Sequence, residues 1–376
     1  MNKRKSLPSF PGTDPCGRNR RTRRRLIPAS ILLIGLALVV CRNDPPGGEE
    51  GRISSASGPP VIEVWYGADQ SFGHLGRPQR WANILGRVHP APDGTRLAFS
   101  LNDGPPVPLA VGGDEHRLAG PGDFNIEIGL EELRPGVNRL LIAAAVPDGR
   151  TTDTEVRVNY HPDREWALPC EIDWSRVEDI QDAVQVVDGR WRRTPEGIRT
   201  EEPNYDRMLA VGDMTWTDYE VFAEVTLHDF SPPRGGPPHY GVTHFGLATR
   251  WTGHEPDDFQ PHVRWYPLGA TAEFRLSRRL WRCSWRIIGD KGRLIESRRR
   301  RRIRKNRRYR MKHRVETLEN GHTRYRVKLW PDSKREPPGW DLEWIEERGD
   351  LPAGSALLIA HHSDVTFGRI RIDPVE

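Results

Sequence analysis

The sequence predicts an all-β protein from Val61 onward. Short runs of alternating apolar and polar residues, and turn clusters of Gly, Pro, Asn and Asp between them, carry that prediction. Alternation with period two sorts side chains to the two faces of a pleated strand. Strand–helix alternation occurs nowhere in the 376 residues, which excludes an α/β architecture.

The chain opens with a basic leader, residues 1–25, holding nine Lys and Arg against the single acid Asp14. Leu26–Cys41 (LIPASILLIGLALVVC) follows as sixteen uncharged residues. Positive flanks stay cytoplasmic, so the remainder is expected outside the membrane, anchored or secreted. The run is short for a span of roughly 20 residues and reads as a signal or anchor segment. Three fates stay open: cleavage, lipidation at Cys41, where Val40 is bulky for a lipoprotein signal, or an uncleaved anchor. Residues 42–60, rich in Pro, Gly and Ser, read as a flexible linker.

Residues 61–161 hold seven β-like runs: Val61–Tyr66, Trp81–His89, Arg96–Leu101, Pro108–Val111, Phe124–Ile128, Asn138–Val146 and Thr154–Tyr160. Turn signals such as Pro92-Asp93-Gly94, Asn102-Asp103-Gly104 and Pro147-Asp148-Gly149 separate them. That density predicts an Ig-like β-sandwich. Leu133–Asn138 followed by Leu140–Ala145 and Asp148-Gly149 also resembles the last hairpin of bacterial Ig-like and cadherin-like modules. The antibody-type Cys–Trp–Cys pattern is absent, so the likeness is one of architecture.

Residues 162–376 read as a larger β unit. Its expected strands are Asp218–Leu227, Gly241–Trp251, His262–Tyr266, Leu280–Ile288, Tyr309–Glu316, Arg324–Trp330 and Ala356–Ile372, with a helical turn only within Val177–Val187. A span of this size suffices for a two-sheet jelly roll. Met208–Val221 (MLAVGDMTWTDYEV), Gly246–Trp251 (GLATRW), Tyr325–Pro331 (YRVKLWP) and Gly354–Ile372 (GSALLIAHHSDVTFGRIRI) resemble concanavalin A-like (laminin-G-like) lectin and glucanase domains. Among these are the bacterial modules that accompany sugar-active enzymes, including 3-keto-disaccharide hydrolase domains. The resemblance covers residues 170–376 and rests on core strands. It implies a concanavalin A-like jelly roll more strongly than any activity.

Charge is segregated. The leader contributes +8 to a formal net charge of +5, so the chain after Arg25 sums to −3. Arg298–Arg310 alone adds ten basic residues and no acid. The rest of the exported body is therefore acidic, with one intense positive loop. Arg300, Arg301, Arg302, Arg304, Arg307 and Arg308 are its candidate contacts to an anionic polymer such as acidic polysaccharide, lipopolysaccharide phosphate, teichoic acid or extracellular DNA; other nucleic acid is not expected. The alternative is a solvated loop. Cys170 and Cys283 are the cysteines of the folded part, and an oxidising compartment permits either a bridge or two buried thiols.

The segment His239–Leu268 gathers aromatic, imidazole and carboxylate groups suited to stacking on and hydrogen-bonding a sugar. Its candidate ligand contacts are Tyr240, His244, Arg250, His254, Trp265 and Tyr266. Alternation places His244, Gly246, Ala248 and Arg250 on one face and Phe245, Leu247 and Trp251 on the other, the latter most simply core. Laminin-G-like folds often hold a calcium ion, and the resemblance marks Asp257 and Asp258 as candidate oxygen ligands. His361-His362-Ser363-Asp364 suggests a metal site or a catalytic diad, but adjacent strand residues point to opposite faces, so the two His cannot both aim at one ion and the motif reads as a polar turn. Glu171-Ile172-Asp173-Trp174 lacks the third acid of a jelly-roll glucanase strand. If the domain is catalytic, Glu220, Glu224, Asp229 and Glu273 are the acids to compare.

The expected function is binding of a glycan or another cell-envelope polymer by the second domain, with the first as a spacer. The alternatives are a polysaccharide-active hydrolase or lyase, which needs a carboxylate paired with another carboxylate, His or Tyr, and a structural surface protein with neither feature.

Overall fold

Strands form where the sequence alternates, and two β-sandwiches result. The computed structural model describes residues 58–114, 116–231, 243–347 and 350–375. The leader, the apolar run, nearly all of the linker and Tyr240 lie outside the described residues.

The first sandwich contains Val61–Val64 (β1), Asp69–Phe72 (β2), Trp81–His89 (β3), Arg96–Leu101 (β4), Val107–Leu109 (β5), Asp123–Gly129 (β6), Gly136–Ala145 (β7) and Thr151–Tyr160 (β8). Its sheets run β1-β3-β6 and β2-β8-β7-β4-β5. Ile84, Phe124, Ile126, Leu140, Ile142 and Val158 fill the space between them. Strand β2 escapes sequence reading because Asp69-Gln-Ser-Phe72 is short and polar. It forms by parallel pairing with β8, Gln70 opposite Val158.

The second sandwich begins with Cys170–Ile172 (β9), Gln185–Asp188 (β10), Trp191–Thr194 (β11), Gly197–Thr200 (β12), Arg207–Val211 (β13) and Tyr219–Phe230 (β14). It continues with His244–Trp251 (β15), Ala270–Arg275 (β16), Ser284–Gly289 (β17), Leu294–Glu296 (β18) and Arg308–Thr317 (β19). Thr323–Pro331 (β20), Leu342–Glu346 (β21), Ser355–His361 (β22) and Ser363–Pro374 (β23) complete it. One sheet has the order β10-β13-β22-β15-β16-β17-β18, the other β11-β12-β23-β14-β19-β20-β21 with β9 beside β23. Phe245, Leu247, Phe274, Trp285 and Leu358 from the first of these sheets meet Val221, Val225, Met311 and Val327 from the second.

Three expected elements differ. His262–Tyr266 is a loop, held by a lone bridge between Glu255 and Arg264. Pro256, Pro261 and Pro267 offer no N–H to a ladder there. The run Ala356–Ile372 is two strands in different sheets, divided at His362, whose φ of 49° turns the corner. Within Val177–Val187, Asp179 caps one 3₁₀ turn, Ile180–Asp182, before β10 begins. Cys170 and Cys283 are free thiols. Burial pushes Cys170 up to about 12 and raises Cys283, which keeps both protonated and inert.

All described residues belong to one compact unit, Ala56–Glu376, and a buried polar seam joins its sandwiches. Arg117 of the first sandwich donates to Asp188 of the second at 2.9 Å and to Glu127 at 2.8 Å. Asn125 donates to the same Asp188 at 2.9 Å. The 252–268 loop is caught in this seam. The Trp81 indole donates to the His254 carbonyl at 2.8 Å, and the His262 N–H to Glu127 at 2.7 Å. Gln260 and the Glu127 backbone exchange two bonds at 2.9 and 3.0 Å.

Candidate functional site

Register assembles the site. His244 lies opposite His361 across β15 and β22, and Gly246 lies opposite both Ile359 and Glu273. Glu273 in turn faces Arg286 across β16 and β17. Asp206, one residue ahead of β13, falls beside His361 because Arg207 pairs with Ala360. One face of the seven-stranded sheet therefore presents Asp206, His361, His244, Glu273 and Arg286 side by side, while Phe245, Leu247 and Phe274 point into the core. Trp265 and Tyr266, carried by the loop wedged in the seam, wall a cavity of about 280 Å³ over these groups. That volume is near the lower end for a ligand pocket and suits one small polar unit.

The two imidazoles stack with ring centroids 4.7 Å apart and planes 5° from parallel. His361 Nδ1 lies 2.7 Å from Asp206 Oδ1, and His244 Nε2 lies 3.8 Å from Glu273 Oε1. Arg286 grips Glu273 Oε2 through Nε at 2.7 Å and Nη2 at 2.6 Å.

Protonation differs across the cavity. Burial opposes ionisation of Asp206, but the adjacent His361 more than offsets it and holds the carboxyl at about 2. Burial pushes Glu273 up despite its pairing with Arg286. Burial and the neighbouring His361 drive His244 well below the ordinary histidine range, so it is neutral. Burial raises the Tyr266 hydroxyl to about 12. The cavity thus holds one carboxyl kept low, one raised by burial, a neutral imidazole and an aromatic wall.

Of the residues singled out in sequence, His244, Trp265 and Tyr266 meet in this cavity. Arg250 does not. A bulge between Ala248 and Trp251 inverts the alternation, and Arg250 takes a φ of 55°. Its buried guanidinium donates to Leu351 O at 2.7 Å, Thr317 at 2.7 Å and Asp218 at 3.1 Å. The same bulge carries Trp251 onto the cavity side, where its ring lies 4.8 Å from that of Trp265. His254 is 3% exposed and faces Glu127 in the seam, outside the cavity.

The calcium candidates are otherwise engaged or isolated. Asp257 accepts N–H bonds from Phe259, Val263 and Arg264, all at 3.0 Å, and so organises its own loop. Asp258 is exposed. The described residues bring ligand-type groups together elsewhere, at Asp206, His244 and His361. Among the acids marked for comparison, Glu220 pairs with Lys312 and Arg314, Glu224 with Arg308, and Asp229 with Lys305. Only Glu273 of these four lines the cavity.

Residues 298–307 of the arginine run form the loop between β18 and β19, Arg308 to Arg310 begin β19, and none of the run lines the cavity. Arg301 pairs with Asp341, Arg300 donates to Ser284 and Arg308 pairs with Glu224. Arg302, Arg304 and Arg307 are exposed and have no ion-pair partner among the described residues.

Sequence reading missed Asp206 and Arg286, and it set His361 aside as part of a polar turn, whereas His361 ends β22 and lines the cavity. The signal for Glu273 and Arg286 was present, since both occupy the polar phase of alternating strands. What alternation does not reveal is which strands become neighbours, and that adjacency makes the site.

No family model and no curated protein matches the chain. Among solved structures it is similar to the carbohydrate-binding module CBM66 from Bacillus subtilis, at 14% identity and a TM-score of 0.33, over 51% of this chain and 95% of that one. It is also similar to the VIP36 exoplasmic/lumenal domain in a Ca²⁺- and Man2-bound form, at 13% identity and 0.33, over 50% and 80%. An alginate lyase Aly36B variant in complex with alginate trisaccharide aligns at 14% identity and 0.32, over 56% and 100%. At these scores the likenesses carry no functional weight, and the chemistry of the cavity must supply it.

Proposed function

We propose that the second sandwich binds a glycan, with one saccharide unit seated in the cavity. The observation that carries this reading is the joint placement of Asp206, Glu273, Arg286, His244 and His361 beneath Trp265 and Tyr266. Sugars are held by that combination of directional polar groups and an aromatic surface. The basic leader and the apolar run support an extracytoplasmic location, where envelope polymers are the available partners. The exposed Arg302, Arg304 and Arg307 favour an acidic polymer. The test is a glycan and polysaccharide array with the full chain, followed by titration of each hit. Trp265→Ala and Tyr266→Ala should each weaken binding about tenfold or more while the protein stays folded. Absence of binding to every neutral and acidic glycan defeats the proposal. Binding that survives roughly 1 M salt assigns the main contact to the cavity rather than the arginine loop.

The opposite shifts of Asp206 and Glu273 favour a second reading, catalysis on the bound polymer. Two carboxyls whose surroundings push them in opposite directions within one cavity have the asymmetry that acid–base cleavage uses. New reducing ends, or the ultraviolet absorbance of an unsaturated sugar product, would report hydrolysis or elimination respectively. Asp206→Asn should abolish either signal. Unchanged polymer after prolonged incubation with a bound substrate leaves binding alone.

A further inference from the structure

The geometry points to a divalent transition-metal site formed by Asp206, His244 and His361. Strands β13, β22 and β15 are consecutive neighbours in their sheet, and these residues sit at the same end of the same face. One potential ligand atom from each lies within 4.8 Å of the other two. An ion that takes nitrogen and oxygen ligands at about 2.0–2.2 Å thus meets donors already gathered.

A second observation is independent of that spacing. His244 Nδ1 and His361 Nε2 are buried and have no hydrogen-bond partner among the described residues. The residues themselves are 5% and 4% exposed. Here the His244 ring keeps Nδ1 for another partner. His361 Nδ1 and Asp206 Oδ1 already lie 2.7 Å apart, so these are the two atoms that would share the ion. Glu273, clamped by Arg286, faces His244 Nε2 at 3.8 Å.

Two imidazoles and one carboxylate select zinc, iron(II), cobalt or manganese over calcium, which requires several oxygen ligands. Three protein ligands leave coordination positions toward the cavity. The site does not depend on the saccharide reading, and a metal-only titration keeps their failures apart.

The experiment uses tag-free full-length protein, freed of metal with a chelator and dialysed. Zn²⁺, Co²⁺, Mn²⁺ and Ca²⁺, and anaerobically Fe²⁺, are added separately, with uptake read by calorimetry and elemental analysis. The expected result is roughly one equivalent of a transition ion per chain, with a Co²⁺ absorption band showing nitrogen ligation. His244→Gln, His361→Gln and Asp206→Asn should each weaken uptake about 100-fold or more, and Glu273→Gln roughly 10–100-fold. Asp257→Asn should leave it unchanged. Near-ultraviolet circular dichroism accompanies each variant, and the wild-type titration decides where a variant does not fold. Folded wild-type protein that takes up no transition ion, prefers calcium, or binds undiminished without both imidazoles overturns the site.

Discussion

At the scale of single residues, burial decides what an ionisable group can do. His313 on β19 points into the core with no exposed surface, and burial lowers its imidazole to about 3, against a weaker opposing pull from the Leu247 backbone. In the unfolded chain the same group titrates near its ordinary 6.5. As pH falls below that value, the unfolded chain takes up a proton that the folded chain refuses. The stability contributed by neutral His313 is therefore complete above about pH 6.5 and is lost progressively toward pH 3, by a few kcal/mol in order of magnitude. His362, lowered to about 4, changes in the same direction. His313→Leu should flatten the acid limb of a stability–pH curve measured by urea denaturation. A slope identical to wild type would show that other groups govern acid sensitivity. The sequence gives little warning of this residue: RYRMKHRVET alternates cleanly, but a histidine on the apolar phase does not disclose how dry its surroundings are.

At the scale of elements, the regular parts of the fold were legible and the irregular ones were not. Trp81–His89 and Arg96–Leu101 are read from alternation and turns with the boundaries the structure has. The β15 bulge is invisible in GLATRW, because an extra residue in one strand is defined by its partner, β22. That irregularity redirects Arg250 and Trp251, the two residues whose faces alternation assigned wrongly. Tyr219 closes the bulge. Its hydroxyl accepts from the Arg250 N–H at 2.8 Å and donates to the Ser355 carbonyl at 2.7 Å. Tyr219→Phe keeps the ring but leaves these buried groups unpaired, which should cost about 1–3 kcal/mol. Cavity binding should be nearly unchanged in the folded fraction, since Tyr219 does not line the cavity. Equilibrium unfolding paired with ligand titration separates the two effects. A variant that unfolds like wild type would mean the bulge finds other partners.

At the scale of the whole molecule, the first sandwich is built into the second rather than strung ahead of it. A two-domain reading follows from the change in strand pattern near His161, but sequence alone cannot show which residues meet across it. Arg117, Glu127 and Asp188 come from distant parts of the chain, and each side chain is at most 3% exposed. Charges so deeply buried are tolerated only when paired, and apolar replacements of similar shape often stabilise as well. The seam's distinctive contribution is orientation. It fixes the 252–268 loop, and with it the Trp265 and Tyr266 wall of the cavity. Arg117→Ala strands two buried carboxylates and should destabilise the protein by about 3–5 kcal/mol. Calorimetry should show one cooperative transition for the wild type and two separated transitions for the variant, as each sandwich melts on its own core. Saccharide affinity should fall alongside, although Arg117 does not line the cavity. Combining Arg117→Met with Glu127→Gln and Asp188→Asn removes the stranded charges and should recover much of the stability. If orientation is what the ionic contacts supply, that triple variant will be stable yet bind saccharide weakly; wild-type affinity in it would assign the positioning of the wall to the loop's own hydrogen bonds.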